Sequence, residues 1–285
     1  MLIADLHSHT VFSDGGDRPE EVLEKARALR FSYLAITDHD QTHWLSDAGA
    51  ELSRKARKMG ISLLRGIELS TRDEKSGKKA HILGYWPAAR EEVCAPSVET
   101  LCEITEKRRT ETTLLQASMI RNMGYDISDD EIRDVCTTTQ LFKNDILKVL
   151  EKKGYISGNL SDFNRQFFGK SGSCYLEIEY VSTKAAVEAI YKDGGKAVLA
   201  HPGQQDNFCI LSDLKPKGLW GIELHHPSHT IEHEKKVKEA AEKYSLYLTG
   251  GGDYHGKFAP SRIMGEYVLK GKEVEDLQKA GLLVD

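Results

Sequence analysis

"LIADLHSHTVFSDG", residues Leu2 to Gly15, decides how the chain is read. Leu2 to Leu6 is a short apolar run of strand type. It ends in two histidines one residue apart, His7 and His9, and Asp14 follows in front of a glycine pair. Side chains two apart on a strand share a face, so both imidazoles leave the strand end on one side.

Working outward, strand and helix signals alternate over the first ninety residues. "PEEVLEKARAL" (Pro19 to Leu29) carries Pro at a first helical turn and apolar residues at helical spacing. "FSYLAIT" (Phe31 to Thr37), "ISLLRGIELS" (Ile61 to Ser70) and "AHILGYW" (Ala80 to Trp86) read as strands, with a helix from Thr42 to Met59 stopped by Gly60. From about Pro96 the signals turn helical through Gly172. The alternation then resumes with a helix over Thr183–Gly195, strands at Lys196–Ala200 and Gly218–His225, a charged helix, and a last strand at Leu246–Gly251. Strands alternating with helices predict an α/β fold with a parallel sheet and right-handed crossovers. Roughly seven βα units suffice for a closed or nearly closed barrel. The expected organisation is a barrel from residues 1–95 and 173–285 and a helical insertion or cap, residues 96–172, lying over its open end.

Function in such barrels gathers where strands feed their following helices, and nearly every strand boundary here carries a metal-competent side chain. The set is His7, His9, Asp14, His39, Glu68, His81, His201, Asp253 and His255. Six imidazoles and three carboxylates without a cysteine suit divalent Zn, Mn or Fe. Nine ligands exceed what one ion takes, so two or three ions sharing a bridging carboxylate fit better. His43, His229 and His233 are expected to be structural. His225 and His226 are placed with them, although "ELHHPSH" ends a strand that could line the pocket. Asp5, Asp38 and Asp40 are candidates for orienting the ligating imidazoles.

"DLHSHTVFSDG", "AITDHD", "GIELS", "LAHPG" and "GGDYHG", in that order, resemble the motifs of the PHP (polymerase and histidinol phosphatase) phosphoesterases. The resemblance covers about residues 1–90 and 175–265. It implies a distorted (βα)7 TIM-like barrel holding three divalent metal ions. By motif, His7, His9, Glu68 and Asp253 would hold one ion, Glu68, His81 and His201 a second, and Asp14, His39 and His255 the third. The helical segment is similar to a branch acting on nucleotides, short oligonucleotides or related sugar phosphates. That branch grips a substrate phosphate with an Arg and a His where this chain has Lys143 and Asp145. Lys143 keeps a cation without the guanidinium fork, and Asp145 is expected to repel a phosphate.

A multimetal N/O site suits hydrolysis of a phosphate ester, with a metal-bridging hydroxide as nucleophile. His201 and Asp253 are the candidates for protonating the leaving group, with a metal-bound water as the alternative. Arg18, Lys143, Lys257 and Arg262 are candidates for holding substrate phosphate. The changed Lys143 and Asp145 tilt the substrate towards a ribose phosphate or cyclic ribose phosphate. A nucleoside 3′,5′-bisphosphate or oligonucleotide is the alternative, and histidinol phosphate ranks lower. An amidohydrolase-like C–N hydrolase would carry a bridging lysine at a strand end, and none is suitable.

Composition sets the remaining bounds. The 285 residues carry a net charge of −5, which disfavours long nucleic acid as partner. No apolar stretch approaches the roughly 18–20 residues that span a bilayer. The N-terminus lacks the basic region and long apolar run of a signal peptide. Five scattered cysteines without a CxxC read as reduced thiols of a cytoplasmic protein. The chain ends after the barrel, which favours a stand-alone enzyme over a module of a larger machine.

Overall fold

Turn and cap chemistry sets where the elements begin. In the computed structural model, which describes residues 2–87 and 93–284, Pro19 opens helix α1 at its first turn. Ser46 caps helix α2 by accepting from Ala48 N at 3.3 Å, so the helix expected from Thr42 begins only at Asp47, after one 3₁₀ turn.

The elements run β1 (Ile3–Asp5), α1 (Pro19–Ala28), β2 (Tyr33–Ile36), α2 (Asp47–Lys58), β3 (Ser62–Arg72) and β4 (Lys79–Trp86). Four helices follow: α3 (Pro96–Asn122), α4 (Asp129–Val135), α5 (Lys143–Lys152) and α6 (Leu160–Phe168). The chain then returns to β5 (Val181–Ser182), α7 (Thr183–Lys192), β6 (Lys196–Leu199), α8 (Pro202–Gln205), α9 (Leu211–Leu214), β7 (Leu219–His225), α10 (Ile231–Tyr244), β8 (Tyr247–Gly250), β9 (Leu269–Lys270) and α11 (Lys272–Lys279).

The sheet order is β8-β7-β6-β4-β3-β2-β1-β9. β1, β2 and β3 pair in parallel, as do β6, β7 and β8. The all-parallel expectation fails at β4, which is antiparallel to both β3 and β6. The cause is the short turn over residues 73–78. Asp73 accepts from both Ser76 N and Ser76 Oγ at 2.7 Å, and Gly77 takes φ +69°. A parallel return needs a crossover of roughly a dozen residues or more, so the chain turns back as a hairpin.

Past their ends, β1 and β8 meet. Leu6 N donates to Gly250 O at 3.1 Å, and Ser8 pairs in parallel with Tyr254. A Cβ at position 251 would lie 2.4 Å from His7 N and 2.5 Å from His7 Cβ, so only glycine lets the chain leaving β8 pass so close to His7. The result is a nearly closed barrel. Its interior is filled by alternate strand residues such as Ala4, Leu6, Ala35, Leu64, Tyr85 and Val198. The helices α3–α6 gather a separate apolar cluster that includes Ile120, Ile132, Leu147, Leu150 and Phe168. Among the described residues no helix is long and apolar enough to cross a membrane.

Candidate metal centre and substrate pocket

The strand ends bring all nine expected ligands to one mouth of the barrel. Glu68, on β3, lies at the centre. Its Oε2 is 3.0 Å from His7 Nε2, 3.1 Å from His9 Nε2 and 3.5 Å from His39 Nε2. Its Oε1 is 2.8 Å from His81 Nδ1 and 3.0 Å from His201 Nε2. Asp253 Oδ1 adds contacts of 3.1 Å to His9 Nε2 and 3.4 Å to His7 Nε2. Asp14 Oδ1 lies 3.1 Å from His255 Nε2 and 3.7 Å from His9 Nδ1. These donors fall into overlapping groups: His7, His9, Glu68 and Asp253; His39, Glu68 and His81; His9, Asp14, His39 and His255.

This donor set fits divalent cations. Two ligand atoms about 2.1 Å from a shared ion lie about 3 Å apart, the spacing seen around Glu68. His9 Nε2 sits between two carboxylates yet forms no hydrogen bond, and His39 Nδ1 and His201 Nδ1 are likewise buried without partners. Burial alone would raise the carboxyl of Glu68, but the facing His39, His7 and His81 hold it well below the usual carboxylate range. Asp253 is held low in the same way, against burial, by Arg262, His7 and His255. Burial pulls His201 down to about 4, helped by His226. Ionised carboxylates and a neutral imidazole are the forms that ligate metal.

Behind these donors stands a ring of supports. Glu223, fully buried on β7, is 2.9 Å from His7 Nδ1 and accepts from His201 N at 2.7 Å. His226 Nε2 is 3.1 Å from Asp253 Oδ2, and Arg262 pairs with the same carboxylate. The three aspartates expected to orient imidazoles do other work. Asp5 accepts from His7 N and Gly252 N. Asp38 accepts from Thr10, Ser13 and Trp44 and so shapes the loop between His9 and Asp14. Asp40 accepts from Ser70 N and pairs with Arg109 of α3. Backbone strain concentrates here: Asp40, His201 and Asp253 all have positive φ, at 52°, 25° and 46°. Non-glycine residues hold such angles only where surrounding bonds fix them, at about 1–3 kcal/mol each.

Beside the donors opens a pocket of about 220 Å³. Asp14, His39 and His81 line it from the barrel. Lys79, Arg109 and Lys143 line it together with Phe142, Phe168, Tyr175 and Tyr180. Of the four basic residues singled out in the sequence, Lys143 is in this lining and Arg262 is at the edge of the donor cluster, 3.2 Å from His255 Nδ1. The structure does not bring the other two there. Arg18 is an exposed residue at the head of α1, and Lys257 is half exposed and paired with Glu151 at 2.6 Å. Asp145 does not face a phosphate. It is buried, accepting from Phe142 N at 2.8 Å and from Lys148 Nζ at 2.8 Å, and so caps α5.

The PHP domain model matches residues 5–127, the stretch that carries His7, His9, Asp14, His39, Glu68 and His81. Over 258 residues the chain is 39% identical to a phosphoribosyl 1,2-cyclic phosphate 1,2-diphosphodiesterase of Eggerthella lenta, covering 90% of this chain and 95% of that protein. The chain belongs to the PHP family. A 3′,5′-nucleoside bisphosphate phosphatase of Chromobacterium violaceum is a more distant relative, 29% identical over 93% of this chain and 91% of its own. A crystal structure from Bifidobacterium adolescentis, of a protein inferred to be a metal-dependent phosphoesterase, superposes with a TM-score of 0.83 at 26% identity. It covers 99% of this chain and 96% of that one.

Sequence reasoning passed over Glu223, His226, Lys79 and Arg109. Glu223 had a usable signal, a carboxylate inside the apolar strand "LWGIELH". His226 directly follows the same strand, where the sequence allows it to line the pocket but gives no reason to set it apart from the structural histidines. Lys79 and Arg109 look like any solvated cation in sequence, and only the hairpin and α3 bring them to the pocket.

Proposed function

We propose that this PHP phosphoesterase hydrolyses a phosphate ester of a small phosphorylated ribose, a cyclic ribose phosphate foremost, with three divalent ions of the Zn, Mn or Fe type. The observation that carries the reading is Glu68, whose two oxygens face five imidazoles beside a pocket containing three cations. His7, His9, Glu68 and Asp253 would hold one ion, Glu68, His81 and His201 a second, and Asp14, His39 and His255 the third. Divalent ions there supply Lewis acidity, favouring ionisation of water near neutral pH and neutralising charge on the phosphate.

The protein's own groups fix everything around that chemistry. Glu223 holds the His7 ring and the His201 backbone in one orientation. Asp253 and His201, both buried among the proposed ligands, are the residues that would protonate the leaving group, with water as the alternative. The four helices between β4 and β5 act as a cap, residues 96–172 over the barrel of residues 1–95 and 173–285, and place Lys143 and Arg109 against substrate. With Asp145 turned away, the preference for a cyclic ribose phosphate rests on the 39% identity to the Eggerthella enzyme. The Chromobacterium relative favours a second reading, a nucleoside 3′,5′-bisphosphate, whose base the aromatic lining would stack. The five cysteines are all free, which fits a cytoplasmic enzyme.

The test is hydrolysis by Mn²⁺-loaded protein of phosphoribosyl 1,2-cyclic phosphate, a nucleoside 3′,5′-bisphosphate and p-nitrophenyl phosphate, followed by ³¹P NMR because opening the cyclic ester alone releases no free phosphate, with metal counted by mass spectrometry. The cyclic ribose phosphate is expected to give the highest kcat/KM with three ions per chain. Preference for the nucleotide overturns the substrate assignment, and turnover of none overturns the enzyme reading.

A further inference from the structure

The pocket holds more positive charge than the protein neutralises. Lys143 has no hydrogen bond or ion pair among the described residues, and Lys79 has only a distant carboxylate, Glu177 at 3.8 Å, which is already paired with Arg72. Burial pulls the Lys143 ammonium below its usual value, against Asp14 and with the help of Arg109 and Lys79.

Arg109 is fixed more firmly than a solvated arginine. Nη2 donates to Asp40 and, at 3.0 Å, to Ser70 Oγ. Gln140, with its amide oxygen turned to the guanidinium, accepts from Nε at 2.7 Å. Phe142 and Tyr180 lie 5.0 and 5.5 Å from the guanidinium carbon. Nη1 alone has no protein partner among the described residues. A guanidinium held on two of its three nitrogens and between two rings loses little freedom when an anion meets the third.

We infer that Arg109, with Lys79 and Lys143, forms a second anion subsite that binds the phosphate not undergoing hydrolysis, and that Arg109 makes the enzyme specific for substrates with two phosphoryl groups. This rests on the phosphoesterase reading above, because the reacting phosphate must sit on the barrel side at Asp14, His39 and His81. The subsite sets substrate orientation: with the remote phosphate held between α3, α5 and the start of β4, the other end is delivered to the metal ligands.

The test compares metal-loaded wild type with Arg109→Met, Arg109→Lys and Lys143→Met. Lys143→Met strands no protein partner, so it stays informative if the Arg109 variants fold poorly. For phosphoribosyl 1,2-cyclic phosphate, kcat/KM should fall on the order of 100-fold in Arg109→Met, since charge-assisted bonds to phosphate are the strong ones. That loss should exceed the loss with p-nitrophenyl phosphate, which has one phosphoryl group, by at least about 10-fold, with Arg109→Lys between. Equal losses on both substrates, or none on the first, overturn the inference. Calorimetric binding of ribose 5-phosphate, with ribose as control, separates the two layers. If no ester is cleaved but the binding weakens about 10-fold or more in Arg109→Met and Lys143→Met, the hydrolase reading falls and the subsite stands. If esters are cleaved and that binding is unchanged, the subsite falls alone.

Discussion

The two walls of the pocket are built in opposite ways. On the barrel wall, charges are matched: Glu68, Asp253 and Asp14 each face imidazoles within about 3–4 Å, and strand pairing fixes their spacing. On the opposite wall, made by α3, α5 and the start of β4, cations stand with few anions, packed by aromatic rings and, for Arg109, paired with Asp40. A matched wall binds what shares its ligands, a cation. An unmatched wall binds what it lacks, an anion. On the reading proposed above, the part that activates a phosphate is separate from the part that selects the molecule carrying it.

Breaking the matched wall should cost most. Glu68→Gln keeps the side chain's shape and removes its charge, and phosphoesterase kcat should drop on the order of 10³-fold, beyond the roughly 10–100-fold expected for an outer partner. Metal content should fall below that of wild type in the same preparation. Full metal loading with near-normal turnover would remove Glu68 from the centre.

One layer further out the effect should shrink. Glu223→Gln leaves all nine proposed ligands in place but weakens the grip on His7 and His201. Metal affinity should fall by about 10–100-fold with unchanged circular dichroism. An affinity within twofold of wild type would make Glu223 a packing residue only.

On the unmatched wall, Asp145→Ala sharpens the comparison by what it leaves alone. Losing the acceptor for Phe142 N removes a helix-start bond of about 1 kcal/mol, so Tm should fall by about 2–4 °C. KM should not change, because the carboxylate is turned away from the pocket. A KM lowered severalfold would restore Asp145 as a repulsive element in the site.

The contrast also explains what could be read without a structure. The matched wall repeats one local rule, a ligand at or just past the end of a strand, so His7, His9, His39, His201, Asp253 and His255 announce themselves by position, whereas Glu68 lies inside β3, which runs on to Arg72. The barrel class follows from the same alternation of elements. The β4 reversal was hidden because strand periodicity carries no direction, and the six-residue turn that forces it is a distance constraint. Arg109 was illegible for another reason. It lies in the middle of a long polar helix, and its meaning comes from Asp40, Ser70 and Gln140, which are distant in sequence. Asp145 misled because a residue type was matched to a role without knowing which way the first turn of α5 faces.

The reversed strand has a consequence for α3. Running back, β4 leaves the chain at Trp86, on the floor of the barrel, where the Trp86 indole and Val98 N both bond to Asp193 ahead of β6. The chain must therefore climb the outside wall again before it can touch substrate. Eleven residues from Val98 to Arg109 rise about 17 Å at 1.5 Å per residue, near the roughly 19 Å of barrel depth that β4 descends once its roughly 23 Å length is tilted by about 36°. The first stretch of α3 is thus a ruler cut to the depth of the barrel, and the reach of the selecting arginine is set by counting helical turns from the floor.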